Sequence, residues 1–385
     1  SSRWRAQVGA RCAFGRAPHF SDMEASCAST YLHRAHDEQG LVGDMNFMLR
    51  CYLDDVRRFS KSAPQIPAHV SVERQTGLAP TVRLLTWNLN MLRGADASEH
   101  ADPDAAAAVL RELNPDVIVI QESPVEGLDK LWSDCFKEGM RRMRVLDGLL
   151  ESAGYTLLRS PAYNPTLLAS RLPVSYKEAG PSLDVKPVRT VNFGAVWSEI
   201  RAACYAEVSL PNSQKLALYA THLHHKDVER RGDADVPGVR QREMARLLRH
   251  RSDRQAAAKP SATAILADFN QPRKRDYSAK EWEVVAQGLQ HPDVAQPEDD
   301  GVAEALRQEG FECTYDTADA PNNFLGRRAP PMTHWTGTTI DFVYIDGGPA
   351  RVVGNYVHYS DLSAHLPVVV DVQMGCRSET RKRAR

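Results

Sequence analysis

Short apolar runs that close in a polar side chain recur along this chain. In the clearest of them, Ala-Ile-Leu-Ala at residues 264–267 is followed by Asp268 and, after Phe269, by Asn270. Such a run predicts a buried strand that leaves its sheet at the polar residues. Positions i and i+2 of an extended chain share one face, so both polar side chains can point into one pocket. A turn capped by Asp or Asn would give the same local pattern.

Four more predicted strands end in, or contain, a polar residue of a type that can act in catalysis or bind a metal. They are residues 81–90 with Asn88 and Asn90, residues 116–122 with Glu122, residues 215–225 with His222, and residues 338–345 with Asp341. A helix predicted over residues 101–113 separates the first two strands. The order strand, helix, strand indicates a layered α/β fold, in which functional side chains collect at strand ends.

The pattern divides the chain into three regions. Residues 1–80 form an N-terminal extension in which apolar spacing predicts a helix over 42–59, packed on the main domain rather than forming a separate binding module. The extension starts Arg-rich and acid-poor, which fits a disordered basic tail or a transit peptide, and residues 60–80 are linker-like. Residues 81–375 form the main domain, and residues 376–385 form a basic tail, either solvated or a nuclear signal.

Other segments of the main domain are predicted with less detail. Helices are expected within residues 127–153 and 239–250, and strands within 155–173 and 191–208. Residues 226–237 are charged and predicted to be a loop. Residues 271–321 are polar and uneven, and we expect an insertion with one or two short helices, such as one over 281–290.

Composition excludes several classes of protein. The net charge of −1 gives no global basic bias toward nucleic acid, and no apolar run is long enough to span a bilayer. The seven cysteines are scattered, without a metal-binding pair or a disulfide framework, which indicates a reducing compartment. We therefore expect an intracellular monomer in the nucleus or cytoplasm, or in a mitochondrion or plastid if the Arg-rich start is a transit peptide.

Each polar residue has a structural interpretation of its own. Glu122 can cap a turn, His222 can be a core histidine, and Asp341 can pair with an arginine. Taken together, however, the residues supply what a Mg²⁺-dependent phosphodiester hydrolase needs. Mg²⁺ prefers carboxylate oxygens and neutralises phosphate charge, a second acid orients the attacking water, and a protonated histidine stabilises the developing charge.

Short motifs containing these residues stand in one order along the chain: Thr86-Trp87-Asn88, Gln121-Glu122, Thr221-His222-Leu223, Asp268-Phe269-Asn270, Ile340-Asp341-Phe342 and Ser363-Ala364-His365-Leu366-Pro367. In this order they resemble the endonuclease/exonuclease/phosphatase superfamily. The resemblance implies a four-layer α/β sandwich with two packed mixed β-sheets and outer helices.

The resemblance also implies a role for each residue of the site. Mg²⁺, with Mn²⁺ as a substitute, is expected on Glu122 beside Asn88, and Asp268 is expected to orient or activate water. The remaining expected roles are phosphate contact by Asn270 and His222, transition-state stabilisation by His365 paired with Asp341, and substrate binding by Arg201 and Asn90.

Two positions depart from the family pattern. Ala267 stands where the family usually has glycine, which is a mild steric change. Ala364 stands where the family's last motif has an aspartate that contributes to the metal site, and Asp361 lies three residues earlier. The second departure implies either a weaker metal site or an inactivated protein.

The motifs favour a phosphodiesterase that acts on nucleic acid, as a nuclease or as a 5′-end-processing enzyme of the tyrosyl-DNA phosphodiesterase type. Lipid or small-molecule phosphodiester hydrolysis, and an inactive binding or scaffold role, are the alternatives. Basic residues at 240–249 and 273–275 either follow a phosphate backbone or form a solvated face.

Overall fold

A computed structural model describes residues 45–375, except for residues 63–64, 76–78, 96–99, 125–133, 161–164, 179–200, 226–227, 232–233, 280–281, 284–300, 318–331 and 347. The Arg-rich start, the basic tail and most of the helix predicted over 281–290 lie outside the described residues. Part of the strand region predicted over 191–208 lies outside them as well.

The strands of the described residues, in chain order, are β1 (Thr81–Asn88), β2 (Val117–Gln121), β3 (Thr156–Arg159), β4 (Leu167–Ser170), β5 (Val174–Glu178), β6 (Cys204–Ser209), β7 (Lys215–His222), β8 (Val228–Arg231), β9 (Ala234–Pro237), β10 (Ala262–Asp268), β11 (Phe311–Cys313), β12 (Asp341–Asp346), β13 (Ala350–Val357) and β14 (Val368–Met374). The helices are α1 (Met45–Ser62), α2 (Pro103–Leu113), α3 (Asp134–Ser152), α4 (Val239–Ala258), α5 (Gly301–Gln308) and α6 (Thr314–Thr317).

Two mixed six-stranded sheets form the body of the molecule. The first has the strand order β13-β14-β1-β2-β4-β3, and the second has the order β11-β12-β10-β7-β6-β5. In the first sheet β1 runs parallel to β2 and antiparallel to β14. In the second, β10 runs parallel to β7 and antiparallel to β12. The predicted α/β sandwich with two packed mixed sheets and outer helices is confirmed.

The core explains why the strands are nearly continuous apolar runs. In β1, Leu84 belongs to a cluster that also holds Leu218 and Leu266 of the other sheet. The next residue, Leu85, belongs to a second cluster with Leu110 of α2. The central strands are therefore covered on both faces, so apolar residues occupy both sets of alternating positions.

Helix α1 joins the N-terminal extension to this core. The observed helix, Met45–Ser62, agrees with the predicted spacing but begins and ends three residues later. Its buried residues Tyr52, Val56 and Phe59 belong to the core cluster between the sheets. The Phe59 ring packs on the Tyr359 ring at 5.5 Å between centroids. The helix therefore packs on the segment that leads into β14.

Two segments differ from their predicted structure. Residues 228–237, predicted to be a loop, contain the antiparallel ribbon of β8 and β9. Charged side chains hide this ribbon from a hydrophobicity pattern, because backbone hydrogen bonds form it. The predicted insertion at 271–321 contributes β11, which pairs with β12 at the edge of the second sheet. Within the described residues, no helix has the length and apolar character needed to cross a membrane.

Candidate active site

Strand direction brings the predicted residues to one edge of the sandwich. Asn88 ends β1 beside the end of the parallel strand β2, and His222 ends β7 directly opposite Asp268, the end of the parallel strand β10. Asp341 begins the antiparallel strand β12 and is also registered with Asp268. The segment carrying His365 leads into β14, which is antiparallel to β1. All these side chains therefore meet at the same edge.

We call this group the strand-end cluster. Its members are Asn88, Glu122, His222, Asp268, Asn270, Asp341 and His365.

Asn88 connects the two sheets. Its Nδ2 donates to Asp268 Oδ2 at 3.0 Å and to Glu122 Oε1 at 3.4 Å. Its Oδ1 accepts from the backbone N–H of Asn90 at 2.9 Å, which fixes the amide orientation. The Asn88 amide therefore faces two carboxylates, Asp268 from one sheet and Glu122 after a strand of the other. The two negative charges stabilise a positive charge at this place.

Asn270 holds His222 from the other side of Asp268. Its Nδ2 lies 2.8 Å from His222 Nε2 and donates to Leu223 O at 2.9 Å. Because an amide N–H donates, His222 Nε2 is the acceptor in this contact. Asp268 Oδ1 accepts from the Asn270 backbone N–H at 2.9 Å, and its Oδ2 lies 3.3 Å from His222 Nε2.

Asp341 and His365 form a buried pair. His365 Nδ1–H donates to Asp341 Oδ2 at 3.0 Å, and His365 Nε2 lies 3.8 Å from Asp268 Oδ2. Burial alone would lower the pKa of His365, but the negative charges of Asp341 and Asp268 raise it to about 9. His365 is therefore an imidazolium at neutral pH in the metal-free protein.

Asp268 is almost fully buried among the other groups of the cluster, with 1% of its surface exposed. Burial raises the pKa of Asp268 to about 7, and repulsion from Asp341 adds to the effect. His365, the Asn88 amide and the Asn270 backbone N–H oppose the rise by stabilising the carboxylate. A carboxyl group poised near neutral pH suits a general base.

Ser363 fixes the segment that carries His365. Its Oγ donates to the backbone oxygen of Asn88 at 2.6 Å and accepts from the backbone N–H of His365 at 3.2 Å. Its backbone oxygen accepts from the Tyr52 hydroxyl of α1 at 3.3 Å. The oxygen of His365 accepts from Trp87 Nε1 at 3.0 Å. Helix α1 and β1 therefore both position His365.

The acidic groups are suited to hold a divalent cation. One ligand atom from each of Asp268, Asp341 and His365 lies within 4.8 Å of the others. Asp341 Oδ1 is buried and has no hydrogen-bond partner within the described residues, so it can accept a cation. Glu122, half-buried, shares the Asn88 amide with Asp268. Oxygen donors of this kind fit a hard cation such as Mg²⁺.

The backbone after β1 and β2 is strained. Glu122 has φ 54°, and Met91 and Leu92 have φ 55° and 56°, values that side chains with a Cβ seldom adopt. The backbone N–H of Met91 donates to the backbone oxygen of Glu122 at 3.1 Å, and this bond connects the two turns. Such strain is characteristic of sites where the surrounding fold imposes a conformation.

The structure also describes three further positions that the sequence singled out. Asn90 is half-buried in the turn after β1, and Arg201 is 3% exposed just before β6. Their substrate-binding roles stay predictions. Ala364, also buried, places a methyl group where the resemblance expects a carboxylate, and its oxygen accepts from the Trp335 backbone N–H at 2.9 Å.

His334 belongs to the site but does not follow the strand-end pattern. Its ring lies 4.4 Å from the His365 ring between centroids, and the two residues form an antiparallel β-bridge. It sits in an irregular segment without an apolar run, so hydrophobic periodicity gives no signal for it. Its position shortly before Asp341 is the one indication in the sequence.

The basic residues of α4 and of residues 273–275 do not form one uniform surface. Arg240 is 0% exposed, and its Nη1 donates to the Asn270 backbone oxygen at 2.8 Å. Arg273 is also buried and forms ion pairs with Asp276 and Asp316. These two arginines therefore neither follow a phosphate backbone nor form a solvated face, the two roles that the sequence left open. Arg240 instead holds the turn that contains Asn270. Arg249 is exposed.

Comparison with known proteins agrees with this geometry. The model of the Endonuclease/Exonuclease/phosphatase family matches residues 85–365, a range that contains the whole strand-end cluster. No curated protein sequence matches the chain.

Solved structures resemble this chain at low sequence identity. An endonuclease/exonuclease/phosphatase family protein from Bacteroides thetaiotaomicron is 12% identical over 77% of this chain and 98% of its own, with a TM-score of 0.50. A protein from Bacteroides vulgatus is 16% identical over 76% of this chain and 99% of its own, with a TM-score of 0.49. One from Beutenbergia cavernae is 20% identical over 77% of this chain and 72% of its own, with a TM-score of 0.47.

Proposed function

The chain belongs to the endonuclease/exonuclease/phosphatase family, and from that premise we propose that it is a Mg²⁺-dependent phosphodiester hydrolase that acts on nucleic acid. The observation that carries the proposal is the position of Asp268. This carboxylate touches the Asn88 amide and lies next to both His222 and His365, at the edge where the two sheets meet.

The chain's own residues divide the chemistry between them. Asp268, with its raised pKa, orients the attacking water and accepts a proton from it. The His365 imidazolium, held by Asp341, donates a hydrogen bond to the phosphate as negative charge develops on it. Phosphate contact by Asn270 and His222, which the family resemblance implies, is part of the same proposal.

Members of this family generally use divalent metals. The carboxylate of Glu122, with Asn88 beside it, would hold Mg²⁺, and the cation would neutralise phosphate charge. Mn²⁺, with similar oxygen preference, is expected to substitute for it.

The test is hydrolysis of bis-p-nitrophenyl phosphate, a generic phosphodiester, followed by p-nitrophenolate absorbance. Turnover is expected with Mg²⁺ or Mn²⁺ and should stop in excess EDTA. A panel of abasic DNA, 5′-tyrosyl DNA, poly(A) and sphingomyelin then identifies the substrate class. Turnover that persists at full rate in EDTA would refute the metal dependence.

A second candidate function is that of a catalytically inactive binding protein. The observation that favours it is Ala364, a buried methyl group in the motif that precedes β14. If this candidate is correct, the chain shows no turnover with either metal. Recovery of turnover in Ala364→Asp would identify a disabled enzyme, and no turnover in both proteins would identify a binding protein.

We also propose that residues 81–375 are the catalytic domain and that α1 belongs to it structurally. The contacts of Tyr52 with Ser363 and of Phe59 with Tyr359 support this view. An intracellular location and a monomeric state are part of the same proposal, and size-exclusion chromatography with light scattering tests the second.

A further inference from the structure

His334 is fixed beside His365 by the backbone. The Trp335 N–H donates to the Ala364 oxygen at 2.9 Å, and the Leu366 N–H donates to the Thr333 oxygen at 2.7 Å. These bonds join the segment before β12 to the segment before β14. The two imidazole rings consequently lie 4.4 Å apart between centroids, tilted by 49°.

A chain of hydroxyl groups orients the His334 ring. Its Nδ1 lies 2.7 Å from Thr336 Oγ1, which lies 2.9 Å from Thr338 Oγ1. If Thr338 donates to Thr336 and Thr336 donates to Nδ1, the proton of the neutral ring is on Nε2. An anion near Nε2 favours this order, because it leaves Nε2–H as a donor. Nε2 itself makes no hydrogen bond within the described part of the chain, and the ring is half-buried.

The contact at Nδ1 leaves one nitrogen of the ring available. Because Nδ1 faces Thr336 Oγ1, the ring can reach a ligand only through Nε2. Burial lowers the pKa of His334 well below its usual 6.5, and the positive charge of His365 lowers it further, which agrees with a neutral donor but is not needed for the contact. The ring therefore adds a hydrogen-bond donor to the site.

We infer that His334 donates its Nε2–H to a phosphate oxygen of the substrate, as a second imidazole donor next to His365. This role rests on the proposed function, since it takes a phosphodiester as the ligand. It makes His334 a catalytic residue in the sense that it touches the substrate, and it requires no proton transfer by His334. The alternative is that the ring only packs against His365.

Two substitutions separate a donor from a packing ring. His334→Phe keeps a flat ring and removes the donor, whereas His334→Gln loses the ring but places an amide N–H near the position of Nε2. We expect His334→Phe to lower kcat/KM by about 10- to 100-fold, the usual effect of one lost hydrogen bond to a charged group. His334→Gln should keep most of the activity. His358→Phe, at a half-buried histidine outside the site, is the matched control and should behave as the wild type.

A binding measurement without turnover makes the inference independent of catalysis. Isothermal titration of inorganic phosphate into the metal-free protein should give about tenfold weaker binding for His334→Phe and near wild-type binding for His334→Gln. Thr336→Val, which removes the hydroxyl bonded to Nδ1, should also weaken phosphate binding and serves if His334→Phe does not fold. Circular dichroism melting verifies the fold of each variant.

The two proposals fail in different ways. If the wild type hydrolyses the phosphodiester but His334→Phe matches it in both rate and phosphate affinity, His334 is a packing residue and the inference is overturned. The same conclusion follows if His334→Gln is as impaired as His334→Phe. If no protein hydrolyses the substrate but the phosphate affinities differ as expected, the proposed hydrolase function fails and the anion contact of His334 stands.

Discussion

At the scale of single residues, the site depends on the groups that surround one buried carboxylate, that of Asp268. Asp268 receives an amide N–H from Asn88 and a backbone N–H from Asn270, and it faces two histidines. Since desolvation and Asp341 raise its pKa while these donors lower it, Asp268 changes protonation near neutral pH. Its chemistry is thus set by its neighbours and not by its position at a strand end alone.

Replacing this base should remove most activity. We expect Asp268→Asn to lower kcat by about 10²- to 10⁴-fold, the usual contribution of general base catalysis, with a smaller effect on KM. Steady-state kinetics on bis-p-nitrophenyl phosphate measures both constants. Asp253→Asn, at an exposed acid of α4, should leave them unchanged. Full activity in Asp268→Asn would contradict the assignment.

The Asp341–His365 pair predicts how the stability of the fold depends on pH. The folded pKa of His365 is raised from 6.5 to about 9, so the pair contributes stability that is fully present below pH 6.5 and is lost as pH rises through about 9. Asp341→Asn should therefore lower the pKa of His365, and its destabilising effect should be larger at pH 6 than at pH 10. NMR titration of the His365 Cε1–H in EDTA, assigned with His365→Gln, measures the pKa. An unchanged pKa would argue against the pair.

At the scale of elements, the strand ends were predictable and the segments between them were not. Apolar runs ending at Asn88, Glu122, His222 and Asp268 mark buried strands, and parallel pairing brings their ends together. The ribbon of β8 and β9 was missed because its stabilising bonds are in the backbone. His334 was missed because an irregular segment positions it through contacts with residues far along the chain.

Helix α1 is expected to stabilise the catalytic segment. Phe59→Ala removes a buried ring from the core and from Tyr359, and should cost about 3–5 kcal/mol of unfolding free energy. Urea denaturation followed by circular dichroism measures this loss. Lys61→Ala, at an exposed position of the same helix, should have no effect. A loss below about 1 kcal/mol in Phe59→Ala would mean that the extension is separable from the domain.

The arginines of α4 should divide into two kinds. Arg249 is exposed, so Arg249→Gln should reduce the salt dependence of single-stranded DNA binding, with a change of about 0.7 in the log–log slope. Arg240 is buried against the Asn270 oxygen, so Arg240→Gln should slow turnover and leave that slope unchanged. Fluorescence anisotropy in EDTA at several salt concentrations measures the slope. The reverse pattern would restore the phosphate-binding interpretation of Arg240.

At the scale of the whole molecule, the site belongs to neither sheet alone. Asn88 ends a strand of the first sheet and Glu122 follows another, whereas His222, Asp268 and Asp341 belong to the second sheet. The layered α/β class followed from the order of strands and helices along the chain, in which central strands appear as continuous apolar runs. The two packed sheets followed from the resemblance of the motifs to the family. The substrate did not, because specificity depends on surface loops whose composition carries no periodic signal.

Metal binding should stabilise the entire fold. A cation that binds only the folded state raises the unfolding free energy by RT ln(1 + [M]/Kd), so Mg²⁺ at about 100 times Kd should add about 2.7 kcal/mol. For a domain of this size each kcal/mol raises the melting temperature by about 2–4 °C. Differential scanning calorimetry with and without Mg²⁺ should detect the rise in wild type and in Glu151→Gln, an exposed control. Glu122→Gln should reduce it, and an equal rise there would remove Glu122 from the metal site.

The hydrogen bonds of Ser363 have a consequence for how the protein is made. They join Ser363 to Tyr52, 311 residues earlier, and to Asn88, 275 residues earlier. Contacts of such sequence separation form late, because the intervening chain must be closed into a loop first. On the ribosome, α1 and β1 are synthesised early. The contacts that position His365 form only after the last tenth of the domain has been synthesised. A nascent or truncated chain can therefore contain most of both sheets and still lack activity, so the onset of turnover reports completed folding.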